Sequence, residues 1–280
     1  MRYKEHYNRA KLVLFACLFS VCISFAFGST FELPKLIKPE VVLPSASGLG
    51  GVYSAYKQDF CVLFSNPALY PFISRKTTIT AINFRADSLA YSALKYVKSS
   101  DRESQLLSLL GRTNSLCTNA AITGPISFAF LDKTFGFGIF NTTRTIAQLP
   151  SLSHFSALLG EDIVITGGYG GIVYEKGEHT ISLGVNMKGF LQTYAYIEGT
   201  VFGSSYTLYE KKFEGLPIVL QAGFGIDAGF AYKYQDKLTL SATLKDMYTP
   251  VFTSYYENYK DFFASKQREK GKYKTFLPVL

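Results

Sequence analysis

The sequence predicts an all-β fold, an antiparallel up-and-down transmembrane β-barrel, and three observations lead to this fold class. From Ile218 to Tyr234, apolar or aromatic residues alternate with mostly small or polar ones, which places the two sets on opposite faces of a strand. Similar alternating segments recur along the chain and are joined by tight turns. Beyond residue 28 no apolar run approaches the length of a membrane-spanning helix, whereas a tilted strand crosses a bilayer with about 9–11 residues.

The first 28 residues have the three parts of a secretory signal peptide. Basic residues dominate the first eleven positions, an apolar stretch runs from Leu12 to Phe27, and Ala26 and Gly28 supply small residues before a cleavage site. The apolar stretch is shorter than the ~20 residues that an anchoring helix needs. We therefore expect cleavage before Ser29 and export to the outer membrane.

Composition argues against several classes of function. Four basic residues and one acidic residue in the signal peptide contribute +3, so its removal lowers the formal net charge from +8 to +5. No basic run remains that would track phosphates, and nucleic acid is not expected as a partner. Cleavage also removes two of the four cysteines and leaves Cys61 and Cys117, which could pair in an oxidising compartment.

The sequence shows no catalytic, metal-binding or phosphate-binding pattern. The three histidines have no metal-ligand spacing, and His179 and Ser182 lie on opposite faces of a predicted strand, so they cannot form a catalytic pair. The glycine clusters lie within predicted strands rather than before helices, which does not suit phosphate binding. We expect no enzyme activity, no metal and no cofactor.

The chain after the signal peptide divides into two predicted regions. Residues 29–76 form a compact, irregular N-terminal region, because alternation is weak there and prolines are frequent. Residues 77–280 form a barrel domain, and this domain is predicted to be partial because few convincing strands are found in it. A helical interruption is expected from about Ala86 to Leu110, where apolar residues recur at helical spacing and Gly111 follows as a stop signal.

Three hairpins are predicted within the barrel domain, and successive hairpins between long strands are typical of a meander. The strand pairs are 126–130 with 135–139, 162–174 with 180–192, and 218–234 with 238–245. The turns are Asp132-Lys133, residues 175–178 and Gln235-Asp236, and a loop through Pro150 separates the first two hairpins. The stretch 255–274 is expected to form a surface loop or a short amphipathic helix.

The polar faces of these strands favour a barrel over a soluble β-sandwich. A sandwich predicts shorter strands and polar faces rich in long charged side chains, whereas these faces carry mostly Gly, Ser, Thr, Asn and Gln. The isolated charges on them are predicted to face the lumen. They either guide a carboxylate headgroup or are ordinary solvated lumen residues: Lys188, Asp227, Lys233 and Lys245.

Two segments near the mature N-terminus resemble a known family. Residues 47–54 read Ser-Gly-Leu-Gly-Gly-Val-Tyr-Ser, and Asn66-Pro67-Ala68-Leu69 follows about a dozen residues later. In order and spacing this resembles the N-terminal signature of the FadL-type long-chain fatty-acid transporters of the outer membrane. Residues 223–229 with 245–248 also look like a strand and turn of an uncharacterised spirochaetal branch of these proteins.

The resemblance implies a barrel plugged by a small N-terminal hatch that carries the Asn-Pro-Ala motif. It also implies passive uptake of long-chain fatty acids or other hydrophobic small molecules, which leave sideways through an opening in the wall. On this basis Asn66, Pro67 and Ala68 are candidate ligand contacts, and Gly48 and Gly50 shape the approach. A structural turn that packs the hatch is the alternative for the motif. The implied partners are the ligand, outer-membrane lipids and the barrel assembly machinery.

The chain departs from the family pattern in two respects. The acidic stretch usual before Asn-Pro-Ala is reduced to Asp59, and about seven convincing strands stand where family barrels have about fourteen. The last residue, Leu280, is not the aromatic residue with which such barrels usually end. Two other interpretations therefore remain open, namely a barrel that scaffolds surface or secretion proteins without transport, and a truncated fragment without function.

Overall fold

The computed structural model describes residues 38–49, 54–55, 60–87, 116–151, 154–199, 215–235, 237–264 and 274–275. The chain divides into two units, Met1–Lys35 and Leu36–Leu280, and every described residue belongs to the second. The predicted signal peptide and most of the predicted helical interruption lie outside the described residues. Ala86, where that interruption was expected to begin, ends a strand instead.

The described elements are mostly strands, with a few short helical turns. The strands are β1 (Lys76–Thr78), β2 (Asn83–Ala86), β3 (Leu116–Leu131), β4 (Phe135–Ser151), β5 (His154–Lys176), β6 (His179–Gly199), β7 (Ile218–Tyr234), β8 (Leu238–Tyr248), β9 (Pro250–Tyr256) and β10 (Lys274–Thr275). The helices are α1 (Pro44–Gly48) and α2 (Tyr259–Phe263), and the two 3₁₀ helices are Phe60–Phe64 and Pro67–Phe72.

The strands form one antiparallel sheet in up-and-down order. The central ladder runs β3-β4-β5-β6-β7. β1 and β2 pair with different parts of the outer edge of β3, and β8 and β9 with different parts of the other edge of β7. β10 pairs with β9. The predicted all-β, antiparallel meander is confirmed. Among the described strands, those at the two edges do not pair with each other, so the sheet is not closed.

The three predicted hairpins are present, and the strand Ile218–Tyr234 has the bounds that its alternation predicts. The predicted loop through Pro150 is wrong, because β4 continues to Ser151 and β5 begins at His154. Residues 141–145 of β4 are polar on both faces, so the apolar–polar alternation is lost there although the pairing continues. Thr143, for example, still pairs with Glu161 of β5.

The sequence did not predict β9, which continues the line of β8 along β7. β8 contains a bulge near its C-terminal end, where Asp246 has a φ of 56° and the register with β7 shifts between Ile226 and Ala228. β9 shows no alternation because each of its faces carries both apolar and polar residues, Val251 with Thr253 on one face and Phe252 with Ser254 on the other. The short helix α2 lies within the stretch where a surface loop or helix was expected.

The two faces of the sheet differ in burial and polarity. On β6 the side chains of Ser182, Asn186 and Gln192 are buried, whereas Val185 and Met187 between them are more than half exposed. The inner face is covered by the N-terminal residues 38–49 and 60–73, which we call the hatch. The hatch packs an apolar core around Leu63, Leu69 and Tyr70 against inward residues of β3, β4 and β7. No described helix is both long and apolar enough to span a membrane.

Candidate functional site

The Asn-Pro-Ala motif lies where the hatch meets the sheet. Asn66 ends the turn before the second 3₁₀ helix, and its side-chain oxygen accepts a hydrogen bond from the Ala68 N–H at 3.0 Å, as an N-cap does. Its amide nitrogen lies 3.1 Å from the Phe230 carbonyl on β7 and 3.4 Å from the Ala242 carbonyl on β8. A single buried side chain therefore ties the hatch turn to two neighbouring strands.

This turn packs against three glycines on adjacent strands. Gly170 of β5 pairs with Gly184 of β6, which pairs in turn with Gly229 of β7, so the three form one row across the inner face. A Cβ atom at any of them would overlap the Asn66, Pro67 or Ala68 atoms. Glycine is required here because the hatch backbone approaches the sheet more closely than a side chain permits. We call Gly170, Gly184 and Gly229 the glycine row.

Further polar contacts fix the hatch beside the glycine row. The Ser182 hydroxyl donates to the Ala68 carbonyl, and the Asn186 amide donates to the Leu63 carbonyl at 2.7 Å. Burial raises the pKa of the Tyr70 hydroxyl, and the negative charge of Asp227 adds to this effect. The hydroxyl therefore stays protonated and donates to Asn186 at 3.3 Å.

Asn66 and Ala68 are fully buried in these contacts, which assign the motif an anchoring role. Their direct contact with a ligand stays a prediction. Gly48 lies apart from the motif at the exposed end of α1, with open space around it, and Gly50 lies outside the described residues.

Three of the four predicted lumen charges belong to one inward cluster. Lys188 contacts Asp227 at 3.1 Å and Asp246 at 2.6 Å, while Lys38 of the hatch reaches Asp246 at 2.9 Å. Lys245 interacts electrostatically with both aspartates. Asp227 also accepts the Asp246 N–H at 2.7 Å, a contact at the bulge of β8. Lys233 lies elsewhere on the inner face, 5.4 Å above the Phe72 ring.

Sequence reasoning missed a second buried charge cluster. The Arg144 guanidinium on β4 lies 3.2 Å from the Asp162 carboxylate on β5, and it also hydrogen-bonds the Tyr194 hydroxyl at 3.2 Å. Gln192 donates to Asp162 at 2.9 Å, and Glu40 of the hatch pairs with Arg85 of β2. Arg144 was missed because it lies in the stretch predicted as a loop. Asp162 could have been found from its alternation with Val164 and Thr166.

The wall of the sheet is interrupted at β3. β1 pairs with residues 129–131 and β2 with residues 120–123, so residues 124–128 between them have no ladder partner on that side. The register with β4 shifts at the same place, and the Ile126 N–H bonds the Asn141 side chain at 2.9 Å instead. Ile79 and Ile82, in the connection beside this break, are strongly exposed.

The described residues contain neither a group of side chains suited to a metal ion nor a disulfide. Within the described ranges, no three His, Cys, Asp or Glu side chains are grouped as a metal site requires. Cys61 is buried in the hatch while Cys117 is exposed on β3, and the structure does not join them in a disulfide.

Comparison with known proteins yields no relative. No family model, curated protein or solved structure matches the chain. Assignment to the FadL-type family therefore depends on the motif resemblance alone.

Proposed function

We propose that this chain forms the hatch and wall of an outer-membrane β-barrel that mediates passive uptake of long-chain fatty acids or similar hydrophobic compounds. The observation that carries the proposal is the exposed apolar belt on the outer face. Alternate residues of β6 from Ile181 to Leu191 belong to it, and Leu183, Val185 and Met187 are each about half exposed. An exposed apolar face of this extent is typical of a protein surface that meets lipid or a partner.

The height of the belt fits a bilayer. Ile181 to Leu191 spans eleven residues, and at ~3.3 Å per residue and a tilt of ~40° these rise about 28 Å, close to the ~25 Å apolar band of outer-membrane barrels. Tyr174 and Tyr232 lie at the short-turn end of the belt, where interfacial aromatic residues are expected. At the other end a polar row crosses the outer face of β4, β5 and β6, namely Thr143, Glu161 and Thr193.

The break at β3 supports lateral passage of an apolar ligand. A fatty acid gains about 0.8 kcal/mol per buried methylene, which it would lose in a water-filled channel, so an opening toward lipid suits it better. Residues 124–128 are where the described wall lacks continuous pairing, and they lie beside the hatch, since Val42 donates to Thr123 at 2.7 Å. We propose this break as the exit.

Heat modifiability and ligand binding test the proposal together. The two sheet edges must be paired in a membrane, because each unsatisfied backbone group costs several kcal/mol in lipid. The mature chain from residue 29, refolded in detergent, should therefore migrate faster on an SDS gel before boiling than after it. The same sample should bind radiolabelled palmitate saturably.

Two results would contradict parts of the proposal. Absence of a shift on boiling would mean that these residues alone do not close a barrel. A clear shift without saturable binding of palmitate would favour the scaffold alternative, in which the barrel positions other proteins and transports nothing.

A further inference from the structure

Residues 38–43, which we call the strap, cross the inner face as an extended segment. Within the described sheet, no strand pairs with the strap. Its sequence, Lys-Pro-Glu-Val-Val-Leu, favours extension, since proline restricts both its own φ and the residue before it, and valine prefers extended backbone. The strap is therefore a preformed extended peptide held by side chains of the sheet.

Strand side chains bind the strap through its backbone at alternate residues. The Arg144 guanidinium donates to the Lys38 carbonyl at 3.2 Å, the Glu40 N–H donates to Asp162 at 3.1 Å, and the Val42 N–H donates to the Thr123 hydroxyl at 2.7 Å. A period of two in these contacts matches the period of an extended chain. Backbone contacts of this kind recognise an extended peptide largely without regard to its side chains.

Thr123 and Asp162, which bind the strap, belong to a continuous polar row of the inner face that forms the groove. It crosses six strands, and every member is at most 4% exposed: Thr123, Thr142, Asp162, Gln192, Gln221 and Thr253. Below it, Val41 of the strap packs beside Val164, Phe190 and Val251. The groove therefore offers hydrogen-bonding groups for a backbone and one apolar site for an inward side chain.

Charges at two positions set the direction of the strap. Lys38 pairs with Asp246, and Glu40, two residues later, pairs with Arg85 and lies 3.9 Å from Arg144. A peptide with an acidic residue before a basic one would meet like charges at both positions. The groove thus selects a basic residue two positions before an acidic one.

We propose that this groove is a peptide-binding site, and that the strap is an exchangeable occupant of it. Its ligand is an extended peptide with a basic residue two positions before an acidic one. Leu43 packs in the apolar core of the hatch, but the contacts that the glycine row and Asn66 make with residues 66–68 involve none of residues 38–43, so this turn stays docked when the strap leaves. The proposal does not depend on fatty-acid uptake.

A labelled peptide with the sequence of residues 36–43 tests the site on the refolded mature chain. A tethered occupant competes at an effective concentration of order mM, so the wild type should bind the peptide weakly. The double variant Lys38→Ser, Glu40→Ser loosens the strap and should bind at least tenfold more tightly by fluorescence anisotropy. Adding Thr123→Val should weaken this binding several-fold. A control peptide with the lysine and glutamate exchanged should not compete.

Equal binding of the two peptides by the loosened variant, or no binding by a variant that still folds, would overturn the proposal. Hydrogen exchange on the wild type provides a test that needs no variant. The amides of Glu40 and Val42 should exchange much faster than those of the β5–β6 ladder, because the strap opens while the sheet stays paired. Exchange as slow as that of the ladder would also overturn the proposal.

Discussion

At Asn66 one amide group satisfies backbone groups on three different elements. Its oxygen accepts from the hatch turn, and its nitrogen faces carbonyls on β7 and β8. Because Asn66 is fully buried, each unmade hydrogen bond would cost about 1–3 kcal/mol of desolvation. An aspartate could accept but not donate, and a serine is too short to reach both strands, so the chemistry at this position requires an amide.

Gly184→Ala should undock the hatch. The added methyl group meets the backbone of Pro67 and Ala68 rather than a flexible side chain, so relief requires movement of the hatch turn. We expect a loss of about 1–3 kcal/mol in the free energy of unfolding, as for other overpacked sites. Chemical denaturation of the refolded protein in detergent measures it.

Gly189→Ala is the matched control on the same strand. Nothing lies within 4 Å of a Cβ at Gly189, so the substitution should change stability little. Equal effects of the two substitutions would contradict the close approach of the hatch and indicate a general cost of replacing glycine in β6.

At the scale of elements, the bulge near the C-terminal end of β8 depends on buried charges. The Asp227 carboxylate accepts the Asp246 N–H, while Lys188 lies between the two carboxylates and is only 15% exposed. Lys188 therefore compensates the charges of both aspartates at this bulge.

Lys188→Met should destabilise the fold by about 3–5 kcal/mol, because it leaves buried carboxylates without their shared cation. The double variant Lys188→Met, Asp227→Asn should recover part of this loss, since Lys38 still pairs with Asp246. Denaturation midpoints of the wild type, both single variants and the double variant form the thermodynamic cycle. Strict additivity of the two single effects would contradict the coupling.

Elements with one apolar and one polar face could be predicted from the sequence, and the others could not. β7 has the predicted bounds because its outward residues are apolar over its whole length and its inward residues, apart from Val219, are small or polar. Residues 141–145 of β4 are polar on both faces, and each face of β9 carries both apolar and polar residues, so neither shows a continuous period of two.

The candidate site was predictable only where it coincides with a motif or a regular strand. Lys188 and Asp227 were found from alternation, and Asn66 from the motif. Their partners were not, since the pairing of Lys188 with Asp246 depends on the irregular end of β8, and that of Glu40 with Arg85 joins two regions with weak patterns. To predict which distant segments come into contact, one needs the register of the sheet, and the local sequence pattern does not specify that register.

At the scale of the whole molecule, the remaining prediction concerns which face of the sheet lies against lipid. Val185 is 51% exposed in the middle of the outer belt, whereas Thr193 lies on the same face of β6 beyond Leu191. Val185→Arg should cost about 2–4 kcal/mol of folding free energy in lipid vesicles, and Thr193→Arg about 0–1 kcal/mol, because the penalty for a lipid-facing arginine falls toward the interface. In water-exposed positions the two substitutions would cost equally little. If the two variants have equal folding free energies in vesicles, the apolar belt does not face a bilayer.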